Sequence, residues 1–236
     1  METRRAEAAG STRIWIAGWL VAYAAVPHAQ ATDDSGFYLN ANAVRTVRTL
    51  EGTELDTGLI GTVASQGGAS LSLASSATQH GDVTWSAGLG YRASAFFAVE
   101  ASYLDLGQLT YRAAGTETLG SGTGPLSTAL QVSSKGPALA VVGILPILEG
   151  LEVSLRAGAF DGQTATDYVN SDSVTTDSGR VSKTTTSLLA GAGVSYGFAG
   201  HWAVQLQYLH LNALRESLLD QRFNVDVAMA GLTFIF

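Results

Sequence analysis

Residues 227–236 read VAMAGLTFIF. Ala228, Ala230, Leu232, Phe234 and Phe236 are apolar at every second position, and the sequence closes on the last Phe. A β-strand alternates its faces with period two, so these five side chains share one face. A strand face that ends on an exposed Phe calls for an apolar environment outside it, and lipid is the candidate. About 9–11 tilted strand residues cross a bilayer, which is the length of this stretch.

Composition narrows the reading. Of 236 residues, 46% are hydrophobic and only 14% are charged, with 27 Gly and no Cys. A disulfide scaffold is therefore excluded. No uninterrupted apolar run approaches the roughly 18 residues of a membrane-spanning helix. The net charge is −7, and beyond the first residues no basic cluster is present. Nucleic acid is a poor partner for such a chain.

The N-terminus reads as a secretory signal. Arg4, Arg5 and Arg13 precede the apolar stretch IWIAGWLVAYAAV at 14–26, and Ala29-Gln30-Ala31 follows as an A-x-A cleavage site. Residues 1–31 are expected to be a signal peptide and residues 32–236 the exported domain. An uncleaved N-terminal anchor is the alternative.

Eight period-two runs lie near 36–45, 82–91, 96–106, 129–145, 151–160, 183–198, 202–211 and 223–236. Their connections alternate in length. Short ones (92–95, 146–150, 199–201) follow the second, fourth and sixth runs. Long ones (46–81, 107–127, 161–182, 212–222) follow the first, third, fifth and seventh. An up-and-down meander with this asymmetry has tight turns at one end and four long external loops at the other, the arrangement of outer-membrane barrels. The long segments are rich in Gly, Ser, Thr and Asp and cannot order themselves by burial. They are expected as exposed, mobile loops or as strand extensions above the membrane.

Aromatic spacing supports a membrane-facing exterior. Trp85 and Tyr91, Phe97 and Tyr103, and Trp202 and Tyr208 each bracket a short apolar band on one strand face. Membrane barrels place aromatic girdles at both interfaces, where such rings prefer the headgroup level. The opposite faces are polar or small: Ser86, Gly88 and Gly90; Glu100 and Ser102; Glu152, Ser154, Arg156 and Gly158; Gln205 and Gln207. An apolar exterior around a polar interior inverts a soluble barrel and suits a closed sheet in lipid. The fold class expected is all-β, a closed eight-stranded antiparallel up-and-down transmembrane β-barrel.

The stretch GYRASAFFAVEASYLDLG at 90–107 closely resembles the second-to-third strand hairpin of OmpA-like outer-membrane barrels. GFYLNANA at 36–43 and GLTFIF at 231–236 resemble that family's first and last strands. The resemblance implies a place in the cell outer membrane, among its lipid and lipopolysaccharide. It also implies recognition of Leu232, Phe234 and Phe236 by the barrel-insertion machinery. The external loops are open to an extracellular ligand. Larger members carry a peptidoglycan-binding domain that this sequence does not show.

Little of the sequence carries chemistry. Glu100 and Arg156 should both enter the lumen, with Arg92 and Glu152 near its lower end. Charges there are costly unless paired, so Glu100 is expected to pair with Arg156, with Glu152 as a further partner. Such pairs either plug the barrel or gate a narrow solute pore. Eight strands usually enclose a filled lumen, which favours the plug. A lipid A-modifying enzyme is a weaker alternative. His210 is expected on the outer face, but Asn212 stands where a nucleophilic Ser would be required. No catalytic, cofactor or metal site is expected; Asp167, Asp172 and Asp177 are read as solvated loop residues. The function expected is a structural or surface-interaction role carried by the external loops.

Overall fold

The computed structural model describes residues 35–48, 52–65, 69–81, 83–119, 122–172, 175–215 and 222–236. The expected signal segment, 1–31, lies outside them. Alternation of outward apolar residues with inward small or polar ones makes each stave of the barrel. The staves are β1 (Gly36–Arg48), β2 (Ser70–His80) with β3 (Thr84–Ser94), β4 (Phe97–Leu119), β5 (Gly122–Leu148), β6 (Leu151–Ser171), β7 (Thr176–Ala199), β8 (Trp202–Arg215) and β9 (Arg222–Ile235). Neighbours pair antiparallel throughout, and β1 pairs both β3 and β9. β4 also pairs β5, which completes a ring of eight.

Nine strands make eight staves because β2 and β3 are two pieces of one. β4 pairs β3 up to Leu104 and β2 from Leu109 to Thr118. The break at 81–83 lies opposite a register shift between Asp105 and Gln108, where Gly107 adopts φ 73°. The Gly81 amide donates to the Gln108 carbonyl at 2.6 Å across the break. This bulge reverses the facing of β4, as an extra residue must. Leu104 and Leu106 point inward below it, and Leu109, Tyr111 and Ala113 point inward above it.

Tight turns at 95–96, 149–150 and 200–201 mark one end of the barrel, here the turn end. Gly150 (φ 78°) and Gly200 (φ 55°) supply the left-handed backbone for two of them. At the other end the structure departs from loops. Most residues of 107–127 and 161–182 are ladder-paired strand, with partners running to Leu119–Gly122 and Ser171–Thr176. Segment 46–81 carries β2 and a helix, α1 (Gly52–Ala64). In 212–222 the strands run to Arg215 and resume at Arg222. The physical reason is that ladder pairing satisfies the backbone of a polar segment without any apolar core. The many Thr residues favour such strands.

The interior has two levels. Near the turn end it is polar. Towards the extension end it becomes an apolar cluster that includes Val44, Leu104, Leu109, Tyr111, Phe160, Leu211 and Val225. Leu55 of α1 is buried in that same cluster. The Tyr111 hydroxyl donates to the Asp56 carboxylate, and Ser76 Oγ donates to Asp56 Oδ2 at 2.9 Å. The helix thus closes the upper lumen.

Candidate functional site

Among the described residues the polar level of the lumen holds three hydrogen-bonded groups. Glu100 and Arg156 are only 7% and 9% exposed, and their charged atoms lie 3.6 Å apart. The Tyr38 hydroxyl donates to Glu100 Oε2 at 3.1 Å, and Arg156 Nη1 donates to Ser154 Oγ at 3.1 Å. Nearer the turn end, Arg92 Nη2 meets Glu152 Oε1 at 2.8 Å and also donates to the Ala95 carbonyl at 2.8 Å. Glu152 therefore serves Arg92. On the far side Gln205 Nε2 donates to Asn42 Oδ1 at 2.7 Å, and Asn42 Nδ2 donates to Ser86 Oγ at 3.0 Å. These groups are tied into one low-dielectric interior, where each bond is strong and each broken one costly.

Inward glycines leave the space this network fills. A Cβ at Gly90 would sit 2.0 Å from the Tyr38 ring, and one at Gly193 would sit 3.1 Å from Arg156 Nη1. Among the lumen residues lies a void of about 10 Å³, lined by Asn40, Glu100, Arg156 and Gln207 among others. That holds about one water. Among these residues Asn40 Nδ2, Arg156 Nε and Gln207 Nε2 have no protein acceptor.

The exterior is a belt of apolar side chains. Trp85, Tyr91, Phe97, Tyr103, Trp202 and Tyr208 all point outward and are roughly half exposed. Trp85 stacks on Tyr103 at 6.0 Å towards the extension end. Phe37 meets Tyr91 at 4.9 Å, and Trp202 meets Phe234 at 4.9 Å, at the turn end. Phe234 in turn packs edge-on against Phe236 at 5.2 Å. Leu232, Phe234 and Phe236 thus lie on the outer face of β9, at the seam with β1. Above the apolar positions each stave turns polar; the outward residues there include Arg45, Asp105, Lys135, Asp161, His210 and Asp226.

At that upper edge His210 Nδ1 lies 2.7 Å from Asp226 Oδ1 on the neighbouring strand. The hydrogen bond from His210, then that from Tyr208, holds the Asp226 carboxyl below the usual carboxylate value. The next outward residue on β8 is Asn212, where a nucleophilic Ser would be required. Asp167 faces Arg180 at 3.7 Å, and Asp172 accepts from the Thr175 amide at 2.6 Å. These loop carboxylates do not converge.

A family model for the OmpA-like transmembrane domain matches residues 53–236. The chain belongs to this family. β1 precedes the matched residues and is placed in the barrel by its pairing with β3 and β9. Solved structures of similar fold include the attachment invasion locus protein Ail of Yersinia pestis. It shows 12% identity and a TM-score of 0.43, covering 87% of this chain and 100% of that one. Neisserial surface protein A gives 11% identity and 0.40, covering 86% and 99%. The outer-membrane protein OprG of Pseudomonas aeruginosa gives 13% and 0.41, covering 86% and 97%. No curated relative matches the chain in sequence. The protein is an outer-membrane OmpA-like barrel.

Three parts of this OmpA-like barrel were not singled out from the sequence. Tyr38, Asn40 and Asn42 complete the lumen network, although their alternation with Phe37, Leu39 and Ala41 already marks them as inward. Asp226 is one strand across from His210 and two residues before the apolar run of β9. The inward fold of α1 depends on contacts with β2 and β4 and has no local signal.

Proposed function

We propose that this barrel is a closed scaffold with a structural and surface-interaction role, its contacts with the environment carried by the strand extensions of β4–β7. The observation that carries this reading is the filled lumen. Among the described residues a void of about 10 Å³ beneath an apolar cluster that includes Leu55 of α1 supports a barrel without a continuous water path. The extensions are long and rich in Ser and Thr, they pair far beyond the apolar belt, and they present a rigid polar surface. They point out of the cell in this reading, and the turn end faces the periplasm. The belt meets outer-membrane lipid and lipopolysaccharide. The outer face of β9 with Leu232, Phe234 and Phe236 is the surface offered to the insertion machinery. An enzymatic role is not proposed: beside the His210–Asp226 dyad the next outward position of β8 holds Asn212.

The test uses two measurements on one pair of proteins. Thr164 and Lys183 are register partners, so residues 165–182 can be replaced by an Asn-Gly turn that suits a two-residue hairpin. The shortened barrel should keep its heat-modifiable gel shift, while cells displaying it should lose adherence to matrix-coated surfaces. In planar bilayers the intact protein should show no unitary conductance. Stepwise conductance, or adherence unchanged by the truncation, would refute the reading.

A further inference from the structure

The helix that closes the upper lumen has little intrinsic tendency to be a helix. α1 has 13 residues, a length at which an isolated helix is marginal in water. Residues 57–63 read TGLIGTV. All of these except Leu59 are Gly or β-branched, the types that lose most on entering a helix. The Thr62 hydroxyl donates to the Gly58 carbonyl at 2.9 Å, a side-chain bond that weakens a helix slightly.

Packing does not require the glycine at 61. Gly61 is exposed within α1, and a Cβ there would meet nothing within 4 Å outside its own turn. Gly90 and Gly193 differ, because neighbouring side chains occupy the space beside them. What Gly61 contributes is a lower helix stability.

The seat beneath α1 is what holds it. Leu55, Leu59 and Val63 recur every fourth residue and so share one helix face. Leu55 joins the upper lumen cluster, Val63 joins a second cluster with Ala69 and Leu71, and Leu59 packs against both. Leu73 of β2 and Leu126 and Leu130 of β5 complete the seat. The strands of the seat are tied by backbone ladders, β4 to both β2 and β5. Local opening begins in the part with the fewest such ties, and that part is the helix.

We propose that α1 is a lid that opens and recloses as a unit on an intact barrel, uncovering the apolar seat of Leu73, Leu126 and Leu130, with Gly61 biasing it towards opening. The polar level beneath stays filled, so opening changes the surface at this end of the barrel and makes no pore. Lid opening is independent of which end of the barrel faces outward.

Amide hydrogen exchange of the barrel in lipid nanodiscs, read by mass spectrometry, tests the lid. Peptides within 55–64 should exchange about tenfold or more faster than peptides of the seat strands within 110–118 and 123–132. Gly61→Ala should slow the α1 peptides by about fourfold, the difference in helix propensity between the two residues, and leave the seat strands unchanged. Leu55→Ala should speed them by about thirtyfold or more, through loss of a buried Leu. The chain has no Cys, so a thiol introduced by Leu73→Cys reports on the seat. Its maleimide labelling should slow by the same factor when Gly61→Ala is added. Leu126→Cys replaces Leu73→Cys if that variant loses the gel shift. Exchange of α1 as slow as that of its seat strands, exchange of both together, or exchange or labelling unmoved by Gly61→Ala would overturn the proposal.

Discussion

The Arg156 guanidinium lies 3.6 Å from the Glu100 carboxylate although their strands, β6 and β4, do not pair and β5 runs between them. The contact therefore crosses the barrel interior and ties together two staves that the backbone ladder does not join directly. Removing one partner leaves the other charge buried alone, a change that costs about 3–5 kcal/mol in protein interiors. Glu100→Ala should lose that much in urea unfolding from lipid vesicles. Glu100→Leu with Arg156→Met should lose less than the sum of the two single changes, because neither charge is then stranded. An unchanged midpoint for Glu100→Ala would count against the pairing.

Gly90 makes room for the Tyr38 ring. A methyl group there would lie 2.0 Å from the ring, so Gly90→Ala must displace Tyr38 and cost the Tyr38–Glu100 bond. Tyr38→Phe keeps the ring and removes only the hydroxyl, a loss of about 1.5–3 kcal/mol for a bond to a charged acceptor. Gly90→Ala should be the more destabilising of the two when both are unfolded side by side. The reverse order would show that the ring can move without cost.

The helix α1 is held by Leu55 in the upper cluster and by the hydroxyl of Tyr111 on Asp56. Leu55→Asp should release it, exposing residues 52–64 to protease while the gel shift persists. Conductance should stay absent, because the polar network beneath remains filled. Burial, and then the bond to Asp56, raise the Tyr111 pKa. Its contribution is complete below the ordinary tyrosine value near 10 and is lost as pH rises through the folded value. Protease sensitivity of α1 should therefore increase only in strongly alkaline buffer, and Tyr111→Phe should remove that pH dependence.

Asp226 gives the opposite sign. Its carboxyl is held below its ordinary value of 3.8, chiefly by His210 and then by Tyr208. The stabilisation is therefore present above 3.8 and is lost as pH falls through the lower folded value. Carboxyl NMR in micelles should place the Asp226 midpoint below 3.8, and His210→Ala should move it upward. A midpoint unmoved by that substitution would mean that the dyad does not persist at the membrane surface.

The belt was legible because facing is a local property. In a strand, Trp85 and Tyr91 share a face whatever the rest of the chain does, and the same holds for Phe97 with Tyr103 and Trp202 with Tyr208. The three short connections were equally local, and they put the turns at one end. The long segments were harder. Ser- and Thr-rich stretches such as 115–128 carry no apolar pattern, and their order comes from ladder partners that a linear reading does not supply. The bulge at Gly107 was hidden for a related reason. One added residue reverses the facing of all that follows on β4, so Tyr111 faces inward above the bulge although it has the parity of outward-facing Tyr103.

By itself the sequence determined alternating strands with an apolar outer face and an OmpA-like hairpin at 90–107. Each of these follows from residue type and spacing along a few neighbours. Only the tertiary structure decided which groups meet beyond the expected Glu100–Arg156 pair: Tyr38 on Glu100, Glu152 on Arg92, Asp226 on His210, and Leu55 among the upper apolar residues. Those partners are separated by 16 to 62 or more positions in the chain, or belong to staves brought together by closure of β1 on β9. Period two says which face a side chain takes; strand register, shear and closure say what it touches, and they belong to the whole barrel.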